Sequence, residues 1–214
     1  MLGLLMTIGC GLFFNGGEDP PLDRIQLSKG KPIQGVVLRN DENGVWLAQK
    51  SRIKHYDLAD IVSMEGPRVV YPEYLKRMRE EFRKPPSAER STSLGKWCEE
   101  NGLVRDAEIY YWRALLDEGD YAPAHEALGH KKSKGLFHVK VKGKGKQSFS
   151  GLREHRQSHF KNGWEITTAH FDIQAACDLP DLLNAAADLE LLYEAYYQTF
   201  QHVVGFWEMR EPIR

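Results

Sequence analysis

The chain has 214 residues, with 29 lysines and arginines against 30 aspartates and glutamates, so its formal charge is −1. That balance argues against a dedicated nucleic-acid binder, which would carry a strong basic excess. With 42% hydrophobic and 28% charged residues, the chain has enough apolar material for one or two folded cores and too much for global disorder. Cys10, Cys98 and Cys177 share no close spacing, which excludes both a disulfide framework and a zinc ribbon.

Met1 to Phe14 contains no charged side chain and is almost wholly apolar, and a polar stretch from Asn15 to Pro21 follows it. Such a run falls short of the roughly 20 residues that span a bilayer. It suits the apolar region of a secretory signal, although no Lys or Arg precedes it. Thr7-Ile8-Gly9-Cys10 resembles a bacterial lipobox, with a small residue before the cysteine, which makes Cys10 a lipidation candidate. The expectation is a chain exported to the periplasm or cell envelope, attached to the membrane through residues 1–21.

Residues 22–66 alternate with a period of two. Short apolar runs at 23–27, 33–39, 45–47, 53–56 and 61–64 are separated by Lys29-Gly30, Asn40 to Gly44 and Lys50-Ser51. This pattern predicts five antiparallel strands and tight turns. A small SH3-like or Sm-like barrel would hide the edges of so small a sheet.

A helical region is predicted over 73–130. Tyr74 to Lys84 is charged and helical and ends at Pro85-Pro86. Leu94-Gly95 recurs as Leu128-Gly129, a period of 34, and Ala107, Tyr111 and Ala114 fall between them at the spacings of a tetratricopeptide repeat. Helices are expected at about 91–101 and 104–118. Lys131 to Gly135 cuts the second repeat short, and one and a half repeats cannot close a solenoid core.

The span 131–161 carries ten lysines and arginines against Glu154 alone. Its alternating lysines, Lys140, Lys142, Lys144 and Lys146, predict an exposed basic hairpin or a linker over 131–163. A polyanion-binding patch is the functional alternative, weakened by the absence of interleaved aromatic residues. In 164–214, Trp164 to Thr168 and Phe171 to Ala175 read as a strand pair. Asp178 caps a long helix in which Leu182, Ala186, Leu189, Tyr193, Tyr196, Phe200 and Val203 form one apolar stripe. The expected fold is therefore α+β: a small barrel, a helical hairpin, and a strand pair with a long amphipathic helix.

No complete catalytic or cofactor constellation stands out. His125 and His130, five residues apart, would point about 140° away from each other on a regular helix, so they are not expected to share a metal. His155 and His159 have a suitable spacing but no evident third ligand, and His170 reads as structural. Aromatic residues dense on two helices, Tyr110 and Trp112, then Tyr193, Tyr196, Tyr197, Phe200 and Trp207, are candidates for binding a protein partner where they are exposed.

Thr168-Ala169-His170-Phe171-Asp172-Ile173, followed by a helix containing Leu189 to Tyr197, resembles the opening of the peptidase MA-like, gluzincin-type domain of exported bacterial proteins. Leu94 to Leu103 and Ala127-Leu128-Gly129 are similar to the degenerate repeat that often precedes that domain. The resemblance implies a zinc-binding HExxH helix with the glutamate as general base, and this sequence contains no such motif. Two readings follow. The chain is either a non-catalytic interaction module or the substrate-side part of a metallopeptidase whose zinc helix lies elsewhere.

Overall fold

A computed structural model describes residues 22–49, 52–141 and 143–204 as a mixed α+β chain. Five strands come first: β1 (Asp23–Leu27), β2 (Ile33–Asp41), β3 (Gly44–Gln49), β4 (Arg52–Tyr56) and β5 (Ile61–Glu65). Helices α1 (Pro67–Phe82), α2 (Ala88–Glu100), α3 (Val104–Asp117) and α4 (Ala122–Ala127) follow. Next are β6 (Lys131–Ser133), β7 (Leu136–Val141), β8 (Gly145–Gln147) and α5 (Phe149–Ser158), then β9 (Trp164–Thr167), β10 (Asp172–Ala175) and α6 (Leu179–Val204). The described residues form two compact units, one of 77–190 and one of 22–76 with 191–204; the division falls inside α1 and inside α6.

In the unit containing the N-terminal sheet, the five strands are antiparallel in the order β4-β3-β2-β1-β5. Alternation directs Ile25, Val37, Val45 and Leu47 into one core, with Leu27, Ile33, Tyr56, Ile61, Met64 and Val69 packed around them. Asp23 is buried beside this core. Its carboxylate accepts the Val37 amide at 2.8 Å and the Arg68 amide at 2.9 Å, which joins β1 to β2 and to the first turn of α1. Burial outweighs these bonds and raises the Asp23 carboxyl above its usual range. The β2–β3 register shifts between Val37 and Arg39, so Leu38 is an extra residue in the ladder. Its carbonyl is taken instead by the hydroxyl of Tyr197, which donates at 2.9 Å.

The other unit is held at its centre by Glu81. This buried carboxylate receives hydrogen bonds from Ser91 Oγ at 2.8 Å, Arg113 Nε at 3.3 Å and Arg90 Nε. Arg113 also donates to the carbonyls of Glu81 and Lys84 and lies 4.4 Å from the Phe82 ring. One cluster thus fastens the end of α1 to α2 and α3. The two latter helices match the expected spans to within three residues, whereas α1 begins seven residues earlier than the expected Tyr74. Pro67 at its first position needs no amide partner, so the helix starts directly after Gly66.

The approach of α2 to α3 depends on Gly95, where a Cβ would lie 2.8 Å from the Tyr111 ring. Ser87 caps α2 through the Arg90 amide, and Asp117 of α3 accepts the Ala88 amide at 2.9 Å. The lysine-rich span carries a three-stranded antiparallel sheet in the order β6-β7-β8, in which β7 and β8 form the expected hairpin with exposed lysines, and then α5 in place of a linker. Phe137, Phe149 and Leu152 account for the order: each is buried, and Phe149 stacks 6.2 Å from Trp112. Strands β9 and β10 pair through Trp164↔Ala175 to Thr167↔Asp172. Asp178 joins α5 to the start of α6 by accepting from Arg153, Gln157 and the Leu179 amide.

Two substitutions test these joints. Arg113→Ala strips Glu81 of one of its two cations inside the fold and is expected to cost about 3–5 kcal/mol in urea unfolding. Tyr197→Phe leaves the Leu38 carbonyl without its donor and is expected to cost about 1–3 kcal/mol, with hydrogen-exchange protection reduced in β2.

Candidate functional site

The residues singled out in the sequence fall into three groups. Tyr110, Trp112, Tyr193 and Tyr197 are buried, so these four candidates for partner binding serve as core. Trp112 packs 5.2 Å from Trp164 and donates its indole N–H to Glu108 at 2.8 Å, while Tyr193 stacks 6.3 Å from Tyr197. Tyr196 and Phe200 are exposed, with rings 4.6 Å apart. Cys10, Lys142 and Trp207 lie outside the described residues.

Helix α6 buries a face rotated by one residue from the predicted stripe. Leu182, Leu183, Ala186, Ala187, Glu190, Tyr193 and Tyr197 point inward, and Leu192, Tyr196 and Phe200 form an exposed row at i, i+4 and i+8. Glu190 stands on this inward face although it is charged, which a pattern of apolar residues does not register. A carboxylate four residues after Ala186 and three before Tyr193 lies on the inward face, and that spacing was the available signal.

Glu190 meets His170 in a completely buried pair. Thr168 and Phe171 close the β9–β10 turn: the Thr168 amide donates to the Phe171 carbonyl at 2.8 Å, and the Phe171 amide donates to Thr168 Oγ1 at 3.0 Å. The turn carries His170 inward, where its backbone N–H donates to Glu190 Oε1 at 2.9 Å and its Nδ1 lies 2.6 Å from Oε2. Both carboxylate oxygens are therefore engaged by one residue. The next amide back in the turn, that of Ala169, donates to buried Asp106 of α3 at 3.3 Å. His170, expected to be structural, is placed as a buried clamp between the turn and α6.

The second histidine pair corrects an expectation. His125 and His130 do not point apart: their Nδ1 atoms are 2.7 Å from each other. The regular helix that would separate them ends at Ala127, and Gly129, at φ +69°, turns the chain back so that His130 returns over His125. His125 Nε2 lies 2.9 Å from the Gly119 carbonyl, which only accepts, so Nε2 carries a proton, and the two Nδ1 atoms share one hydrogen bond. Phe137 stacks on His125 at 4.6 Å, and Trp112 lies 5.3 Å from His130. Burial, reinforced by the neighbouring His125, pushes the His130 imidazole down to about 4.

These donors do not fit the zinc centre implied by the peptidase resemblance. His125 is hydrogen-bonded to His130 and His170 to Glu190, and among the described residues no group of three His, Cys, Asp or Glu is placed to hold a metal. His155 lies on α5 and His159 at its C-terminal end. Cys98 is buried in α2 and its thiol is pushed up, mainly by burial, away from nucleophilic character. Cys177 is partly buried and is likewise raised by burial. No helix among the described residues is long and apolar enough to cross a membrane.

Lys140, Lys144 and Lys146 are exposed on the β6–β8 sheet and its turn, with Lys140 directly opposite Lys146. Comparison with protein-family models, with curated proteins and with solved structures finds no match.

Glu190→Ala removes both acceptors of His170 and is expected to destabilise the fold by about 3–5 kcal/mol. Glu190→Gln keeps one acceptor and costs less; thermal melts of the two variants give the order. His130 binds its proton more weakly when folded than its ordinary value of 6.5, so the unfolded chain takes up more protons between pH 6.5 and about 4. Stability due to this group is full above that window and falls as pH is lowered through it. His130→Gln is expected to flatten that part of the Tm-versus-pH curve.

Proposed function

We propose that the chain is a non-catalytic interaction module of an exported bacterial envelope protein. The observation that carries the reading is the exposed row Leu192, Tyr196 and Phe200 (64, 48 and 39% exposed) on α6, beside an inner face of the same helix already filled by Tyr193 and Tyr197. Three large apolar residues one turn apart make a straight ridge that fits between the side chains of a partner helix. The best-formed histidine and carboxylate pairs, His170 with Glu190 and His125 with His130, are spent inside the fold on one another.

Finer architecture belongs to the same reading. The order β4-β3-β2-β1-β5, with β5 returning to β1, supports a small SH3-like or Sm-like barrel. The Gly95–Tyr111 approach supports a tetratricopeptide-type hairpin in α2 and α3. The β9–β10 pair with α6 is the proposed partial peptidase-like unit. Export, with Cys10 as a lipid anchor, remains part of the proposal on the strength of the apolar leader alone.

The test is isolation of the tagged chain from its envelope fraction, with and without Leu192→Glu combined with Phe200→Glu. The expected result is a stoichiometric protein partner that the double variant loses, with Tm changed by less than about 3 °C because both residues are exposed. Retention of the partner by the variant removes the α6 ridge from the proposal. Stoichiometric zinc uptake accompanied by peptide hydrolysis overturns it in favour of the metallopeptidase reading.

A further inference from the structure

The lysines of the third sheet are arranged by its register, not merely concentrated by composition. Residues directly opposite in an antiparallel ladder share a face, as do residues two apart on one strand. Lys131 pairs with His138, Ser133 with Leu136 and Lys140 with Lys146. One face of β6-β7-β8 therefore carries Lys131, Leu136, His138, Lys140 and Lys146. Lys146 Nζ reaches across to Ser133 Oγ at 3.2 Å, in agreement with that placement. The opposite face carries buried Phe137, which stacks on His125, together with Val139 and Val141.

Lys140 opposite Lys146 costs the isolated sheet stability, because like charges face each other at cross-strand distance. Residues 127–153 contain no Asp or Glu, so this segment supplies no compensating carboxylate. Lys134 and Lys144 stand exposed in the two turns that join the strands and extend the cationic field to both ends. A positive face that bears an unfavourable like-charge pair becomes more stable when an anionic surface is laid against it.

The features around the lysines select the kind of anion. Among the described residues this face of the ladder carries no Phe, Tyr or Trp, the large rings on which the bases of a single-stranded nucleic acid would stack. The cations on the face are lysines, compact point charges without the planar fork that reads individual phosphates in register. Leu136, 56% exposed, begins β7 directly after the Lys134-Gly135 turn and stands on the same face. An apolar side chain at the end of a flat lysine field is what a lipid interface accommodates, with the lysines at the headgroups and the leucine at the acyl boundary.

We infer that the β6–β8 sheet is a docking face for an anionic phospholipid surface, with Lys131, Lys140 and Lys146 supplying the attraction and Leu136 the apolar contact. The inference rests on this sheet alone and is independent of the α6 ridge and of any lipid on Cys10.

The test is flotation of the full 214-residue chain with vesicles of phosphatidylcholine alone or mixed with phosphatidylglycerol, at low salt and at about 0.5 M NaCl, where charges are screened within a few ångströms. Lys140→Gln with Lys146→Gln falls on exposed side chains and relieves the like-charge pair, so folding is retained; the corresponding double change to Glu keeps a like-charge pair but reverses its sign, and circular dichroism checks the fold of both. The expected result is tenfold or greater preference for the anionic vesicles, lost in high salt and reduced about fivefold per neutralised lysine. Leu136→Ser is expected to weaken binding several-fold at either salt concentration. Equal binding to both vesicle types, or undiminished binding by the double variants, overturns the inference. Salt-sensitive retention on heparin or duplex DNA without preference for the anionic vesicles overturns it too, and assigns the lysines to a soluble polyanion.

Discussion

Burying a carboxylate is costly unless every lone pair facing the interior is answered, and the fold is arranged around places where that condition is met. Glu81 is answered by Arg90, Ser91 and Arg113, Glu190 by His170, and Asp23 by the amides of Val37 and Arg68. In each case the partners lie outside the element that carries the carboxylate. A carboxylate that demands several donors at once fixes the positions of the elements that supply them, which apolar contact, being non-directional, does only loosely. Asp23 sets where α1 begins relative to the sheet it follows. Glu81 sets where α1 ends relative to α2 and α3. His170 and Glu190 hold the β9–β10 turn against α6.

Much of this architecture was legible in the sequence, because the strongest signals were local and periodic. The alternation over 22–66 predicted the five strands, and the spacing of Gly95, Ala107, Tyr111 and Ala114 placed α2 and α3 to within three residues. The α6 stripe was right in kind and displaced in phase. Counting only apolar residues placed Leu189 and Tyr196 inward, whereas the structure turns Glu190 and Tyr197 inward because each has a specific acceptor or donor to meet, His170 for one and the Leu38 carbonyl for the other. A hydrophobic period of 3.5 drifts from one of 3.6 by only about 20° per heptad, less than half a residue between Leu182 and Tyr196, so the period alone does not move the face. Polar partners decided the phase.

The candidate site was less legible, for a related reason. The geometry that separates His125 from His130 holds only for an unbroken helix, and Gly129 breaks it within two residues. Sequence spacing alone cannot supply the return of the chain that brings the two imidazoles to 2.7 Å. The lysine-rich segment was legible in part, since β7 and β8 form the expected hairpin with exposed lysines. Its alternation was visible and its polarity suggested an exposed hairpin or a linker, yet Phe137, placed between charged neighbours, supplies the single ring that stacks on His125 and gives the sheet an inner face.

The near-zero formal charge conceals how the charges are distributed. Asp23, Glu81, Asp106 and Glu190 are buried, whereas Arg113 is the one buried cation among the described lysines and arginines. Among the described residues carboxylates are thus removed from the surface in excess of cations, so the described surface is more cationic than its sequence sum indicates. That exterior is uneven, because the sheet register sets lysines on one face of β6–β8 with no acidic residue in the same segment. The net charge that argued against a polyanion partner for the whole chain therefore does not govern this face. What an approaching surface meets is the local arrangement over a screening length of about 8 Å, and at that scale the third sheet is strongly positive.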